Sequence, residues 1–379
     1  VVIDGQGRGS CSGGLGLRQL LPSAVPTADG VARRWGRVVS KIERVGVVGG
    51  GAWGTAMAVA AAWAGRQVVL WAREPDVVVA INQHHENTRF LPGIALPPVV
   101  RATPDLAEAG AVDVVLLVAP AQHLRAVCRD LGPALAAGVP LVVCAKGIET
   151  GSAALMSEVV AAVLPGAPQA VLSGPTFAAE VARGLPTAVT LAAADAGLGA
   201  RLVAALGSRL FRPYLSDDPV GAQIGGAVKN VLAIACGVVE GRRFGDNARA
   251  ALITRGLAEM ARLGGALGAR AETLMGLSGL GDLTLTCTSR QSRNMSLGFA
   301  LGEGRGLADI LAERQSVAEG VHSAAAVVAL AARWGVEMPI CRAVDAILNH
   351  GAAIEETIDG LLARPFRGET ARPYDTLEP

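Results

Sequence analysis

The chain has 379 residues, of which 51% are apolar and 18% charged, a composition that fits about two packed domains and excludes an intrinsically disordered protein. Its 34 basic and 33 acidic residues leave a net charge of +1, so no charge excess favours nucleic acid or an anionic membrane surface as partner. The six cysteines are scattered without a C-x-x-C pair and His84-His85 lacks any ligand spacing, so reduced, buried thiols in a cytoplasmic protein without a metal site are expected.

Residues 1–44 mix Gly, Ser, Pro and Arg with no sustained period, which predicts a disordered or non-native extension. Within it, residues 15–25 are interrupted by Arg18, Gln19 and Pro22 and lack the continuous apolar core of a secretory signal. The first patterned stretch is 45–54. There an apolar run of strand length enters Gly49-Gly50-Gly51-Ala52-Trp53-Gly54, and an Ala-rich helical stretch leaves it. This G-x-G-x-x-G order, with a strand before and a helix after, is that of a dinucleotide site; a structural Gly-rich turn in another α/β protein is the alternative. Gly49 permits the tight turn, Gly51 leaves the backbone open to a pyrophosphate, and Gly54 lets the helix pack on its strand.

A second strand at 67–71 follows at the expected distance. Beyond it, Arg73 suits the 2′-phosphate of NADP, while Glu74 leaves NAD open. A helix over 77–83, a Pro-punctuated loop over 89–93, buried strands at 112–118 and 140–144, and helices at 122–131 and 152–163 continue the alternation. Short strands are expected at 170–172, 187–192 and 211–215. The pattern predicts an N-terminal Rossmann-type doubly wound α/β sheet over residues 45–218, with ligand groups at the carboxyl ends of its strands.

From 219 the period becomes helical, at 220–240, 247–267, 296–301, 320–334 and 339–348. An all-α C-terminal domain over 219–365 is expected, then a tail over 366–379. The first of these helices is apolar enough to raise a membrane span. Lys229 and Asn230 at its centre argue for a buried core helix instead, because a charge in lipid costs about 2.5–3.5 kcal/mol or more.

Among the 34 basic residues only Lys41, Lys146 and Lys229 are lysines. Arg keeps its proton at any accessible pH and Lys does not, so each surviving lysine raises a question of chemistry. Lys41 sits in a charged flank and reads as solvated. Lys229, in the middle of an apolar helix, loses hydration, which lowers its pKa and fits it for proton transfer near neutrality; a lysine snorkelling to the helix end is the alternative. Lys146 follows a buried strand, where a ligand group or an ordinary loop lysine is expected. Ser173-Gly174-Pro175-Thr176-Phe177 ends a further strand with hydrogen-bonding groups, or forms a turn. Gly279-Leu280-Gly281-Asp282 precedes a donor-rich run to Ser292-Arg293-Asn294, which opens a helix and suits a phosphate or carboxylate; helix capping by Ser292 or Asn294 is the alternative.

Six motifs occur in order: Gly49 to Thr55, Lys146-Gly147, Leu172 to Ala178, Val228-Lys229-Asn230-Val231, Gly245 to Leu252 and Ser278 to Asp282. Together, from about residue 45 to about residue 362, they resemble the bacterial NAD(P)-dependent glycerol-3-phosphate dehydrogenase family. The resemblance implies reversible hydride transfer between sn-glycerol 3-phosphate and dihydroxyacetone phosphate, supplying glycerol 3-phosphate for phospholipid synthesis. It implies Lys229 as catalytic acid/base. Lys146, Gly174, Thr176, Lys229, Asp282, Ser292, Arg293 and Asn294 would hold the small phosphorylated three-carbon substrate. Ala52, Trp53, Arg73, Lys146, Ala178, Arg293, Val317 and Glu319 would contact NADP or NAD beside the glycine turn, with NADP favoured by Arg73. A homodimer that neither binds nucleic acid nor inserts into a membrane is compatible with this reading.

Two departures from the family pattern stand out: the N-terminal extension, and Thr176 where many members have Ser. The rival readings are a two-domain dehydrogenase of hydroxy acids, of 6-phosphogluconate or 3-hydroxyacid type, and a non-catalytic NAD(P)H-sensing protein. Lys146 and Lys229, both in motif context, argue against a degenerate site.

Overall fold

The computed structural model describes residues 42–314 and 319–365. The expected extension as far as residue 41, with Lys41, the tail from residue 366, and Val317 lie outside the described residues. Strand β1 (Arg44–Val48) leads through the glycine turn into α1 (Ala52–Trp63). Then come β2 (Gln67–Trp71), α2 (Pro75–His84), a small hairpin of β3 (Glu86–Asn87) and β4 (Leu91–Ala95), β5 (Val100–Thr103), α3 (Leu106–Gly110), β6 (Val114–Leu117), α4 (Leu124–Leu131), β7 (Leu141–Val143) and α5 (Met156–Val163). Strand β8 (Gln169–Ser173), α6 (Ala178–Ala182), β9 (Thr187–Ala192), α7 (Ala196–Leu206) and β10 (Phe211–Ser216) complete the N-terminal part.

Eight strands form one sheet in the order β10-β9-β8-β7-β6-β1-β2-β5. Parallel pairing from β5 across to β8 sends the carboxyl ends of β1, β6, β7 and β8 to one edge. Strand β6 shows why these short apolar runs sit in the middle of the sheet. Val114 and Leu116 join the apolar cluster on one face, Val115 and Leu117 that on the other, and all four are fully buried. Strand order reverses between β1 and β6, which creates the crevice where such sheets bind ligands.

The pair β9–β10 is parallel within itself but antiparallel to β8, a departure from continuous double winding. The connection from β8 holds only the five-residue α6, too little for the usual parallel crossover. The hairpin at 86–95 also replaces most of the loop expected at 89–93.

The C-terminal part is all-helical among the described residues: α8 (Pro219–Gly241), α9 (Gly245–Ala266), α10 (Ala271–Met275), a π-helical turn (Leu277–Gly281), α11 (Asp282–Thr288), α12 (Arg293–Gly302), α13 (Leu307–Ala312), α14 (Glu319–Arg333), α15 (Pro339–His350) and α16 (Ile354–Leu362). Helix α8 begins where Asp218 accepts a 2.8 Å hydrogen bond from the Gly221 N–H and Pro219 occupies the first turn. It is long and apolar enough to cross a membrane, but 94% of that apolar window is buried inside the protein. It is the core helix around which the others pack, and Lys229 lies at its middle.

Candidate active site

The glycine turn sits at the switch point. Gly49 has φ +132°, and a Cβ there would lie 2.9 Å from the Val118 carbonyl carbon, just beyond β6. A Cβ at Gly54 would stand 1.7 Å from the Gly49 carbonyl oxygen, so α1 packs against the turn itself. Gly51 is different: among the described residues, no atom beyond its own stretch of chain lies within 4 Å of where its Cβ would be, so the space it opens is available to a ligand. Helix α1 begins at Gly51 with no side-chain cap and no acidic residue in its first turn. The N–H groups around Ala52, Trp53 and Gly54 are left to an anion. Trp53 adds a buried indole N–H without a partner among the described residues. Open space, uncapped donors and an orphan N–H fit a dinucleotide pyrophosphate.

Two side chains hold this turn from behind. Asn87, fully buried in β3, donates to the Gly50 carbonyl at 2.8 Å and to Thr55 Oγ1 at 2.7 Å, and Thr55 donates to the Gly51 carbonyl at 3.0 Å. Sequence reasoning missed Asn87. It lies 37 residues from Gly50, and only the hairpin brings it back.

Near the turn, two ammonium groups, Lys229 from the helical part and Lys146 from the segment after β7, share one carboxylate, Asp282. Lys229 Nζ donates to Asp282 Oδ1 at 2.7 Å and to Thr286 Oγ1 at 2.9 Å. Lys146 Nζ donates to Asp282 Oδ2 at 2.8 Å, to the Gly174 carbonyl at 2.8 Å and to Thr176 Oγ1 at 3.3 Å. Asp282 is fully buried, and the Lys229 and Lys146 side chains are only 8% and 13% exposed. Lys229 is therefore no snorkelling lysine, and Lys146 is no ordinary loop lysine. Thr176 supplies a hydroxyl at the position that departs from the family pattern. Lys146 also lies 5.9 Å from the Trp53 ring centroid, which ties the cluster to the glycine turn.

Burial pulls the Lys229 pKa down, Asp282 pushes it back up, and Lys146 lowers it again by like-charge repulsion, leaving it at about 8. A lysine poised there exchanges a proton at physiological pH.

The Ser292-Arg293-Asn294 triplet opens α12, and here the capping alternative is present as well. Ser292 Oγ caps the helix by accepting from the Met295 N–H at 3.2 Å. Asn294 donates to Asn230 Oδ1 at 3.0 Å and accepts from the Gly320 N–H at 3.0 Å, joining α8, α12 and α14. Arg293 remains exposed at the helix start, and its charge is felt at Glu319. Burial raises the Glu319 pKa; Arg293, Lys229, Lys146 and the Ala121 N–H oppose that rise. Arg293 and both lysines therefore lie within electrostatic reach of Glu319. Ala178 opens α6 just beyond the Gly174–Thr176 segment. Arg73 follows β2, with its side chain 78% exposed and paired to Glu74 at 3.2 Å.

A strand–glycine turn–helix corner that fits a dinucleotide, together with a buried lysine of lowered pKa, is the combination expected of two-domain pyridine-nucleotide dehydrogenases. Comparison with known proteins then narrows the class. Residues 44–198 match the family model of the NAD-dependent glycerol-3-phosphate dehydrogenase N-terminus, and residues 218–359 match that of its C-terminus. The chain belongs to the NAD-dependent glycerol-3-phosphate dehydrogenase family. It is 64% identical over 329 residues to glycerol-3-phosphate dehydrogenase (NAD(P)+) of Rhodospirillum rubrum, covering 86% of this chain and 94% of that protein. The enzyme of the same name from Parvibaculum lavamentivorans is 61% identical over 327 residues, 86% of this chain and 98% of its own length. The crystal structure of glycerol-3-phosphate dehydrogenase from Coxiella burnetii superposes with a TM-score of 0.82 at 40% identity, over 86% of this chain and 99% of that one.

Proposed function

We propose that the protein interconverts sn-glycerol 3-phosphate and dihydroxyacetone phosphate with NAD(P)(H), and that Lys229 carries the proton. The observation that supports this most is the environment of Lys229: buried, aimed by Asp282 and Thr286, with a pKa of about 8. The open space at Gly51 and the uncapped N–H groups at the start of α1 would hold the nicotinamide cofactor, which would supply hydride in one direction and accept it in the other. When the keto carbon is reduced, protonated Lys229 delivers its proton to the developing alkoxide. When the alcohol is oxidised, neutral Lys229 removes the hydroxyl proton. Asp282 keeps the amine on this line, and Lys146 adds a second positive charge beside the forming oxyanion. Proton transfer of this kind contributes about 10² to 10⁴ in rate.

Arg293 and the start of α12 neutralise the substrate phosphate, and that remote binding aligns the reacting carbon. Lys146, Gly174, Thr176, Ser292 and Asn294 form the rest of the substrate wall. Gly49, Gly51, Ala52, Trp53, Gly54, Ala178 and Glu319 face the cofactor. Residues 45–218 act as the dinucleotide domain and 219–365 as the catalytic one. The product suits a cytoplasmic supply of glycerol 3-phosphate to phospholipid synthesis by a homodimer without membrane insertion.

Purified protein should consume NADPH when given dihydroxyacetone phosphate, read as loss of NADPH absorbance. Turnover with a 6-phosphogluconate- or 3-hydroxyacid-type substrate instead would favour the rival dehydrogenases. NADPH binding without turnover on any of them would favour a sensor.

Arg73 makes NADP the preferred cofactor in this reading. Arg73→Ala should weaken NADPH binding by about 10- to 100-fold, the range of a charge-assisted contact, with little effect on NADH. Titration with both cofactors checks this, and equal losses would remove Arg73 from recognition of the 2′-phosphate.

A further inference from the structure

We propose that Gly225 is a positioning residue for this reaction: by carrying no side chain, it seats the π-helical turn on α8 and thereby aims Asp282 at the two lysines. The inference rests on the reading of Lys229 and Asp282 given above. A Cβ on Gly225 would lie 2.1 Å from the Ser278 carbonyl oxygen, 2.8 Å from its carbon and 3.0 Å from the Gly279 Cα. All three are backbone atoms, so no side-chain rotation relieves the contact.

The two segments meet in register. Gly225 and Lys229 are four residues apart and share one face of α8. Ser278 and Asp282 are likewise four apart on the opposing segment. Gly225 receives the Ser278 carbonyl, and one turn on, Lys229 receives Asp282 at 2.7 Å. The turn between them is closed by the Gly281 N–H donating to the Gly276 carbonyl at 3.0 Å, the i→i+5 bond of a π-helix, a form that recurs at functional sites. Ser278 and Asp282 are both fully buried, so a displaced turn moves Asp282 with it.

Gly226 is a control built into the same helix. The nearest atom to a Cβ there is the Ser173 hydroxyl at 2.8 Å, which can rotate, followed by Lys146 Cγ at 3.4 Å and Cδ at 3.6 Å, ordinary contact distances. Gly→Ala brings the same gain in helix propensity at both positions, so only the backbone contact distinguishes them.

The test compares Gly225→Ala, Gly226→Ala, Asp282→Glu and the double variant Gly225→Ala/Asp282→Glu. Gly225→Ala should bind NADPH normally and lose about 100-fold in kcat, the scale of a 1 Å misplacement. Gly226→Ala should keep activity of the same order as the unsubstituted enzyme. The charged and titratable groups around Lys229 are Asp282 and Cys287 from α11, Lys146 beyond β7 and Glu319 from α14. Of these, Asp282 is the one Gly225→Ala displaces. The loss of its pull should therefore move the kcat pH inflection to lower pH. Asp282→Glu alone should reduce activity, yet combined with Gly225→Ala its longer reach should recover part of the loss.

Equal kcat and pH profiles for the two alanine variants would overturn the proposal. So would a Gly225→Ala protein that melts early or loses NADPH binding, since the glycine would then serve packing alone, and so would a double variant no better than Gly225→Ala. If Lys229→Ala keeps full activity, the underlying reading of the site fails instead, whatever the glycine variants do.

Discussion

Lys229→Ala should lower kcat for dihydroxyacetone phosphate reduction by about 10² to 10⁴, the contribution of a positioned acid/base group, while NADPH affinity stays nearly unchanged. The two effects separate because Lys229 belongs to α8, whereas the uncapped N–H groups and open space for the cofactor lie at the start of α1. Lys146 is the nearest amine that could stand in. It is held on the Gly174 carbonyl, Thr176 and Asp282 at once and would have to break those bonds to take over. Asp282 keeps Lys146 as a partner in the variant, so its buried charge is not orphaned and the protein should still fold. Steady-state rates with a parallel NADPH titration check the split. Retained turnover would remove Lys229 from proton transfer.

Asp282→Asn should be nearly as damaging, by a different route. It removes the carboxylate that two nearly buried ammonium groups share. Asp282 raises the Lys229 pKa whereas burial and Lys146 lower it, so without that carboxylate the pKa falls below about 8. At neutral pH a smaller share of the amine is then protonated. Reduction has less of its proton donor and should slow by about 10² to 10³, most of it from the loss of aim. Oxidation needs the neutral amine, and its pH inflection should move to lower pH. Breaking a buried ion pair also costs about 3–5 kcal/mol, moderated here because Lys229 can shed its charge, so a lower Tm accompanies the kinetic change. An unchanged pH inflection would mean that Asp282 does not set the protonation of Lys229.

The parts of the site that were legible in the sequence are those whose chemistry is local. Gly49, Gly51 and Gly54 form a fixed spacing on one strand–helix corner, and the structure gives each the steric situation that spacing implies. Lys229 announced itself as a charge in an apolar helix. Its partners did not: Asp282 is 53 residues from Lys229 and 136 from Lys146, and no local pattern encodes such a meeting. Thr286 was visible as one donor among many, without the bond to Lys229 that singles it out.

In the Ser292-Arg293-Asn294 triplet the capping alternative has content, since Ser292 caps α12 and Asn294 braces three helices, while Arg293 stays exposed at the helix start. What stayed hidden in the fold was short or non-local. Strand β5 and helix α3 are too brief for a periodic signal. The π-helical turn depends on an i→i+5 bond and on space left by Gly225, two backbone relations that composition does not display.

The most direct test of proton transfer by Lys229 is the pH dependence of kcat measured in both directions on the unsubstituted enzyme. Protonated Lys229 serves reduction, so that rate should fall as pH rises through about 8; neutral Lys229 serves oxidation, so that rate should rise through the same pH. Two profiles that are flat there, or that bend the same way, would contradict it.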